Sequence, residues 1–286
     1  MLFLILLLNF SELDFFPVGG CVISDDRVYL TDVKGHQAVT LNLNLVVLSR
    51  SDGTPHPFSH PMRVLKGPGK HIGIFNMGTH AILTFQPDMQ PIGALRVGAI
   101  PVSQSARRPE IVAFLDDDRI WQTRLWTPEG FPEPLRSGGK PGRRNRRLGN
   151  FFQDHLVIPF GNGKVLWADS LDKEIFLDSK SLLRLDFEEI EKLPGNAQAF
   201  QKVIPYLYRF YQPGCFAFLH SATEKAVVTI AHPLNSDDSY TVYVIDEFGA
   251  IEHAGIGEWF PLGYGEAGWL VFNGEEIRWT TTLKGL

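Results

Sequence analysis

Arg50-Ser-Asp-Gly53, Pro57-Phe58-Ser-His-Pro61, Ile72-Gly-Ile-Phe-Asn76, Met77-Gly-Thr-His80, Ala81-Ile-Leu-Thr-Phe85 and Pro87-Asp-Met-Gln-Pro91, on to Gly93, form the stretch that decides the fold. Two strand-length apolar runs, Ile72 to Asn76 and Ala81 to Phe85, flank the short segment Met77 to His80, and a Pro/Asp cluster follows them. Short apolar runs bounded by turn formers read as strands joined by tight turns. One such sheet cannot bury both of its faces alone, so it needs neighbours, and the sequence supplies imperfect copies of it.

Upstream, Val28-Tyr-Leu-Thr-Asp32 and Val39-Thr-Leu-Asn-Leu43 repeat the pattern in a unit of about residues 18–51, and the opening stretch is the second unit, 58–97. Downstream, further units are expected at 110–135, 148–178, 213–257 and from Trp259 to the end. Trp121 and Trp126, in the third unit, are expected to stack between neighbouring units. The second-strand markers Tyr29 and Gly73 lie 44 residues apart, and Val228 and Leu270 lie 42 apart. Such a period marks stacked or circular repeats. Between Val157 and Val228 the interval grows to 71, and the spacing of Leu185, Phe187, Ile190 and Leu193 reads as a helical insertion over 182–209.

Gly53, Phe58, Pro61, Ile74-Phe75-Asn76 and Phe85-Gln-Pro-Asp88, with the Tyr29-Leu-Thr-Asp32 counterpart, resemble a blade of the NHL-type six-bladed β-propellers, a superfamily that includes lactonase-like enzymes. The resemblance implies an all-β, single-domain ring over 1–286, with six blades, or seven if the insertion is a degenerate blade. The last unit lacks a strand, which the apolar N-terminus, Met1 to Phe16, would supply, since ring closure hides open sheet edges. The family's roles run from protein and RNA recognition to catalysis, so fold alone does not set function.

A formal charge of −5 argues against nucleic acid as a partner, and 44% hydrophobic residues place the chain among globular proteins. The four arginines of Arg143-Arg-Asn-Arg-Arg147 lie in a Gly/Pro-rich stretch, 137–147, that reads as a solvated loop. Met1 to Leu8 is too short to span a membrane and lacks a basic flank, although residues 1–10 would direct export if they acted as a signal. Cys21 and Cys215 are too few for a disulfide framework and read as small core residues.

Turns between second and third strands gather on one face of a propeller. Asp32, Asn76, His232 and Asn273 fall at or near these turns, and His36 and His80 follow Asp32 and Asn76 by four residues. Carboxylate, amide and imidazole are competent ligands for a divalent ion such as Ca or for a polar molecule, but Asp and Asn also bond their own turn backbone. His56 and His60 are four apart, a spacing useful only on a helix, which Pro55, Pro57 and Pro61 forbid. Nucleophile-elbow, zincin, Walker and dinucleotide motifs are absent, and Gly255-Ile-Gly257 and Gly263-Tyr-Gly265 read as turn glycines. The expectation is a monomeric, non-catalytic propeller without a cofactor that recognises a protein, peptide or saccharide on a loop face through Asp32, His36, Asn76, His80, His232 and Asn273. The alternative is a metal-dependent hydrolase of the lactonase-like type.

Overall fold

Six four-stranded antiparallel sheets make up the regular structure of this computed structural model, which describes residues 8–9, 15, 17, 20–24, 26–32, 35–116, 120–139, 155–169, 174–184, 215–220, 225–231, 240–257, 259–273 and 276–283. Blade one holds β2 (Gly20–Ile23), β3 (Arg27–Asp32), β4 (Gln37–Asn42) and β5 (Val47–Ser51). Blade two holds β6 (Pro61–Lys66), β7 (Ile72–Asn76), β8 (Ala81–Phe85) and β9 (Pro91–Arg96). Blade three comprises β10 (Ile100–Gln104), β11 (Ile111–Leu115), β12 (Trp121–Leu125) and β13 (Arg136–Gly138). Blade four comprises β14 (His155–Pro159), β15 (Val165–Asp169), β16 (Glu174–Leu177) and β17 (Lys180–Arg184). Blade five is β18 (Cys215–His220), β19 (Lys225–Ala231), β20 (Tyr240–Ile245) and β21 (Ile251–Gly257).

Blade six is built from both ends of the sequence. Three strands, β22 (Phe260–Gly265), β23 (Gly268–Phe272) and β24 (Glu276–Thr280), are completed by β1 (Leu8–Asn9), with Leu8 opposite Ile277 and Asn9 opposite Glu276. The N-terminal segment thus serves as the closing strand, and the ring has six blades.

The apolar runs are continuous rather than alternating because each blade is covered on both faces. Successive residues of one strand feed opposite gaps: Ile74 packs with Val22 and Tyr29 of blade one, while its neighbour Phe75 packs with Val112 and Phe114 of blade three. Val228 and Val227 divide in the same way between blades four and six. Six clusters result, one filling each gap between neighbours. Phe75, Phe85, Phe114, Phe160 and Phe272 are fully buried in them, and each such side chain stabilises the ring by about 2–3 kcal/mol. Trp126 packs between blades two and three and Trp121 between blades three and four.

In blades one, two and five the turns between third and outer strands share one geometry. Asn42 Oδ1 accepts the N–H groups of Asn44 and Val46, both at 2.9 Å. Asp246 Oδ1 accepts those of Phe248 and Ala250 at 2.9 and 2.8 Å. The fourth turn residue is left-handed in each case: Leu45 at φ 61°, Met89 at φ 67° in blade two and Gly249 at φ 88°. Leu45 and Met89 point into the core. At Gly249 a Cβ would lie 2.9 Å from Leu182 Cδ2, so the leucine of β17 fills the place that Leu45 fills in blade one.

Four boundaries differ from the sequence reading. Blade three begins at Ile100, not Glu110, and its outer strand runs past Leu135 as Arg136–Gly138, taking Ser137 and Gly138 from the expected loop. Leu182, Leu183 and Arg184 belong to β17, while the rest of the expected helical insertion lies outside the described residues. Gly255 and Gly257 sit in β21, and Gly263 and Gly265 in β22, so all four are strand glycines. At Gly263 and Gly265 the absence of a side chain lets Cys21 and Ile23 of blade one approach closely.

Candidate functional site

Antiparallel order within a blade puts the second-to-third turns and the crossovers between blades on one face. Asp32, the last residue of β3, is 2% exposed. Its Oδ1 accepts the Gly35 N–H at 2.8 Å and its Oδ2 the Gln37 side-chain amide at 3.1 Å, so the carboxylate holds its own turn. Asn76, the last residue of β7, is fully buried. Its Oδ1 accepts the Ser59 N–H at 2.7 Å and its Nδ2 donates to the Pro57 carbonyl at 3.1 Å. One side chain therefore straps the crossover from blade one onto blade two, and the Gly78 N–H donates to the Ser59 carbonyl at 2.8 Å beside it. Asn273 follows β23 and accepts the Glu276 N–H at 2.8 Å. His232 lies outside the described residues.

His36 and His80 are exposed and occupy matching left-handed positions, with φ 52° and 49°, at the ends of the turns begun by Asp32 and Asn76. Their recurrence has a backbone cause: the turn needs positive φ there, and His is among the residues that enter this region more readily. The two do not pair. His36 instead meets His60, which the sequence reading had set beside His56. The His60 N–H donates to His36 Nδ1 at 3.0 Å, and the rings meet edge to face with centroids 4.7 Å apart. Burial first, and the neighbouring charge of His36 second, hold the His60 pKa below 6.5. The ring of His80 lies edge-on to Phe75, centroids 6.4 Å apart.

A second feature escaped the sequence reading. The innermost strands enclose a central cavity of about 140 Å³, bounded by residues of β2, β6, β10, β14 and β22 and by Ser105, Ala106 and Pro109 of the first turn of blade three. Arg63 and Lys66 line it. Arg63 is half-buried, and burial lowers its pKa to about 10, leaving it a cation at neutral pH. The free thiol of Cys21 is enclosed in the same way; burial pushes it up to about 12 against the opposing charge of Lys66. Gln104 stitches two blades at the rim, accepting the Lys66 N–H at 2.6 Å and donating to the Lys66 carbonyl at 3.1 Å. Among the described residues, no group of three His, Cys, Asp or Glu could hold a metal ion, and no helix is long and apolar enough to cross a membrane.

No protein-family model matches the chain, and no curated protein matches it. Solved structures do. A catalytically inactive virginiamycin B lyase from Staphylococcus aureus with quinupristin aligns over 96% of this chain and 97% of its own, at 11% identity and a TM-score of 0.52. A putative exported protein from Bacteroides fragilis aligns over 90% and 79%, at 10% identity and a TM-score of 0.54. The RRP9 WD40 repeats align over 90% and 86%, at 11% identity and a TM-score of 0.53. At such identities the likeness is one of fold. The same ring thus carries a lyase and a repeat domain among its similar structures, and this chain is a six-bladed β-propeller.

Proposed function

We propose that the chain is a non-catalytic binding module, working without a cofactor, that recognises a protein, peptide or saccharide on the face of its second-to-third turns. One observation supports this reading above others: Asp32, Asn76 and Asn273 direct side-chain oxygens at N–H groups of their own chain, which fixes the turns and leaves the imidazoles of His36 and His80 as outward polar groups. A surface held rigid before contact loses little entropy on binding, which suits recognition. An acid-base or metal mechanism would instead use oxygens aimed at one reacting point.

Peptide and glycan arrays probed with the full chain, followed by titration of any hit against a His36→Ala/His80→Ala variant, test the proposal. The expected loss of affinity is about tenfold or more, as for interface positions that matter. Unchanged affinity removes this face from consideration. A thermal-shift scan across divalent cations runs in parallel, and a cation-specific rise in Tm would favour the metal-dependent hydrolase reading.

A further inference from the structure

Ile277 and Arg278, neighbours on β24, face opposite gaps. Ile277 packs in the cluster between blades six and one, so Arg278 looks toward blade five, into the gap where Val244, Trp259 and Tyr264 are partly buried. There the Arg278 guanidinium lies over the Trp259 ring, 3.8 Å from its centroid. Its Nε is closed off from solvent and has no hydrogen-bond partner. Among the described residues, no carbonyl or carboxylate accepts from any of its five N–H donors. Guanidinium donors held in a protein are ordinarily met by an acceptor, because leaving them unmet is costly. Glu276 shares this face of β24, two residues or roughly 7 Å along the strand, yet no ion pair joins the two. Arg278 is thus half-buried and held flat by an aromatic ring, with its terminal nitrogens uncommitted.

We propose that Arg278 and Trp259 form a binding point for a carboxylate carried on an apolar body, in the gap between blades five and six. The two terminal nitrogens of the guanidinium make a planar fork that matches a carboxylate bidentately. The indole keeps water from one face of the cation, and a charge-assisted bond is stronger where water is scarce. Val244 and Tyr264 offer apolar contact to the rest of the ligand. Glu276 and the net charge of −5 decide between oxyanions, since a monoanionic carboxylate meets half the repulsion that a dianionic phosphate would. The point belongs to blade six, whereas His36 and His80 belong to turns of blades one and two, so neither proposal depends on the other.

The test is a chemical-shift titration of the ¹⁵N-labelled full chain, following the Arg278 Nε–H and Trp259 Nε1–H signals. Phenylacetate, neutral phenylacetamide and inorganic phosphate serve as probes at constant ionic strength. Phenylacetate should shift both signals saturably, phenylacetamide should leave them in place, and phosphate should bind more weakly than phenylacetate. Arg278→Gln, followed through Trp259 and checked for native circular dichroism, should weaken binding at least about tenfold. Arg278→Lys keeps the charge without the fork and should fall between that variant and the wild type. Glu276→Gln should tighten binding, and His36→Ala/His80→Ala should leave it unchanged. The inference is overturned if phenylacetate does not saturate, if phosphate binds more tightly, or if folded Arg278→Gln binds as the wild type does.

Discussion

The backbone N–H of His60, at the end of the crossover between blades one and two, donates to the imidazole Nδ1 of His36 in the turn of blade one. That bond requires a bare Nδ1, so it exists while His36 is in the matching neutral tautomer. His60 itself has a folded pKa below its ordinary 6.5, because burial and the His36 charge disfavour its cation. A base with a depressed folded pKa binds fewer protons folded than unfolded. Its contribution to stability is therefore complete above pH 6.5 and is lost as pH falls from there through the depressed value. Urea midpoints measured from about pH 7 downward should decline, and His60→Asn, which keeps a residue tolerant of positive φ, should flatten the decline. Parallel profiles for wild type and variant would show that the pair does not sense pH.

Asn76 serves the fold with both ends of its amide. Replacing it with alanine leaves the Ser59 N–H and the Pro57 carbonyl without that partner, at an expected cost of about 2–4 kcal/mol in urea unfolding. Asn76→Asp should be worse than a simple loss of the donor, because a buried carboxylate would then face the Pro57 carbonyl oxygen.

Leu45 sets side-chain burial against backbone conformation. It is fully buried at φ 61°. Leu45→Ala should cost about 2–4 kcal/mol through the cavity it opens. Leu45→Gly removes one more carbon yet relieves the left-handed penalty of about 1–2 kcal/mol, so it should be no less stable than the alanine variant. Chemical denaturation of the two proteins decides; a glycine variant clearly weaker than alanine would mean that the turn stores no strain.

Gly73 admits Trp126 of blade three against the backbone of β7. A Cβ there would collide with Trp126 Cη2 and lie 2.9 Å from Ile82 Cγ2. Gly73→Ala should destabilise the ring by about 1–3 kcal/mol through overpacking. With Trp126→Phe in the same chain, the combined loss should be smaller than the sum of the single losses, since one change makes room for the other. Strict additivity in melting experiments would place the two residues out of contact.

Much of this ring was legible in local sequence. Ile72 to Asn76 and Ala81 to Phe85 became β7 and β8 as read, because turn chemistry and apolar runs agree there. The end-of-strand positions of Asp32 and Asn76 were legible for the same reason. The inner strand Ile100–Gln104 was not, because Pro101, Ser103 and Gln104 argue against an ordinary strand. Proline is tolerated where one edge of a strand is unpaired, and Pro61, Pro159 and Pro261 lie in inner strands too. The His36 to His60 contact joins residues 24 positions apart across two blades, and no local pattern carries that distance. Arg63 and Lys66 looked like ordinary strand charges until the ring closed around them.

The pairing of Leu8 with Ile277 links residues 269 positions apart. At roughly 5–20 residues per second, translation places the two about 15–50 s apart in emerging from the ribosome. Blades one to five can form in order during that interval, while the edge of β24 is the last to find its partner. The nascent chain therefore passes through a period as an open arc, with the final seam set by synthesis time rather than by the speed of hairpin formation.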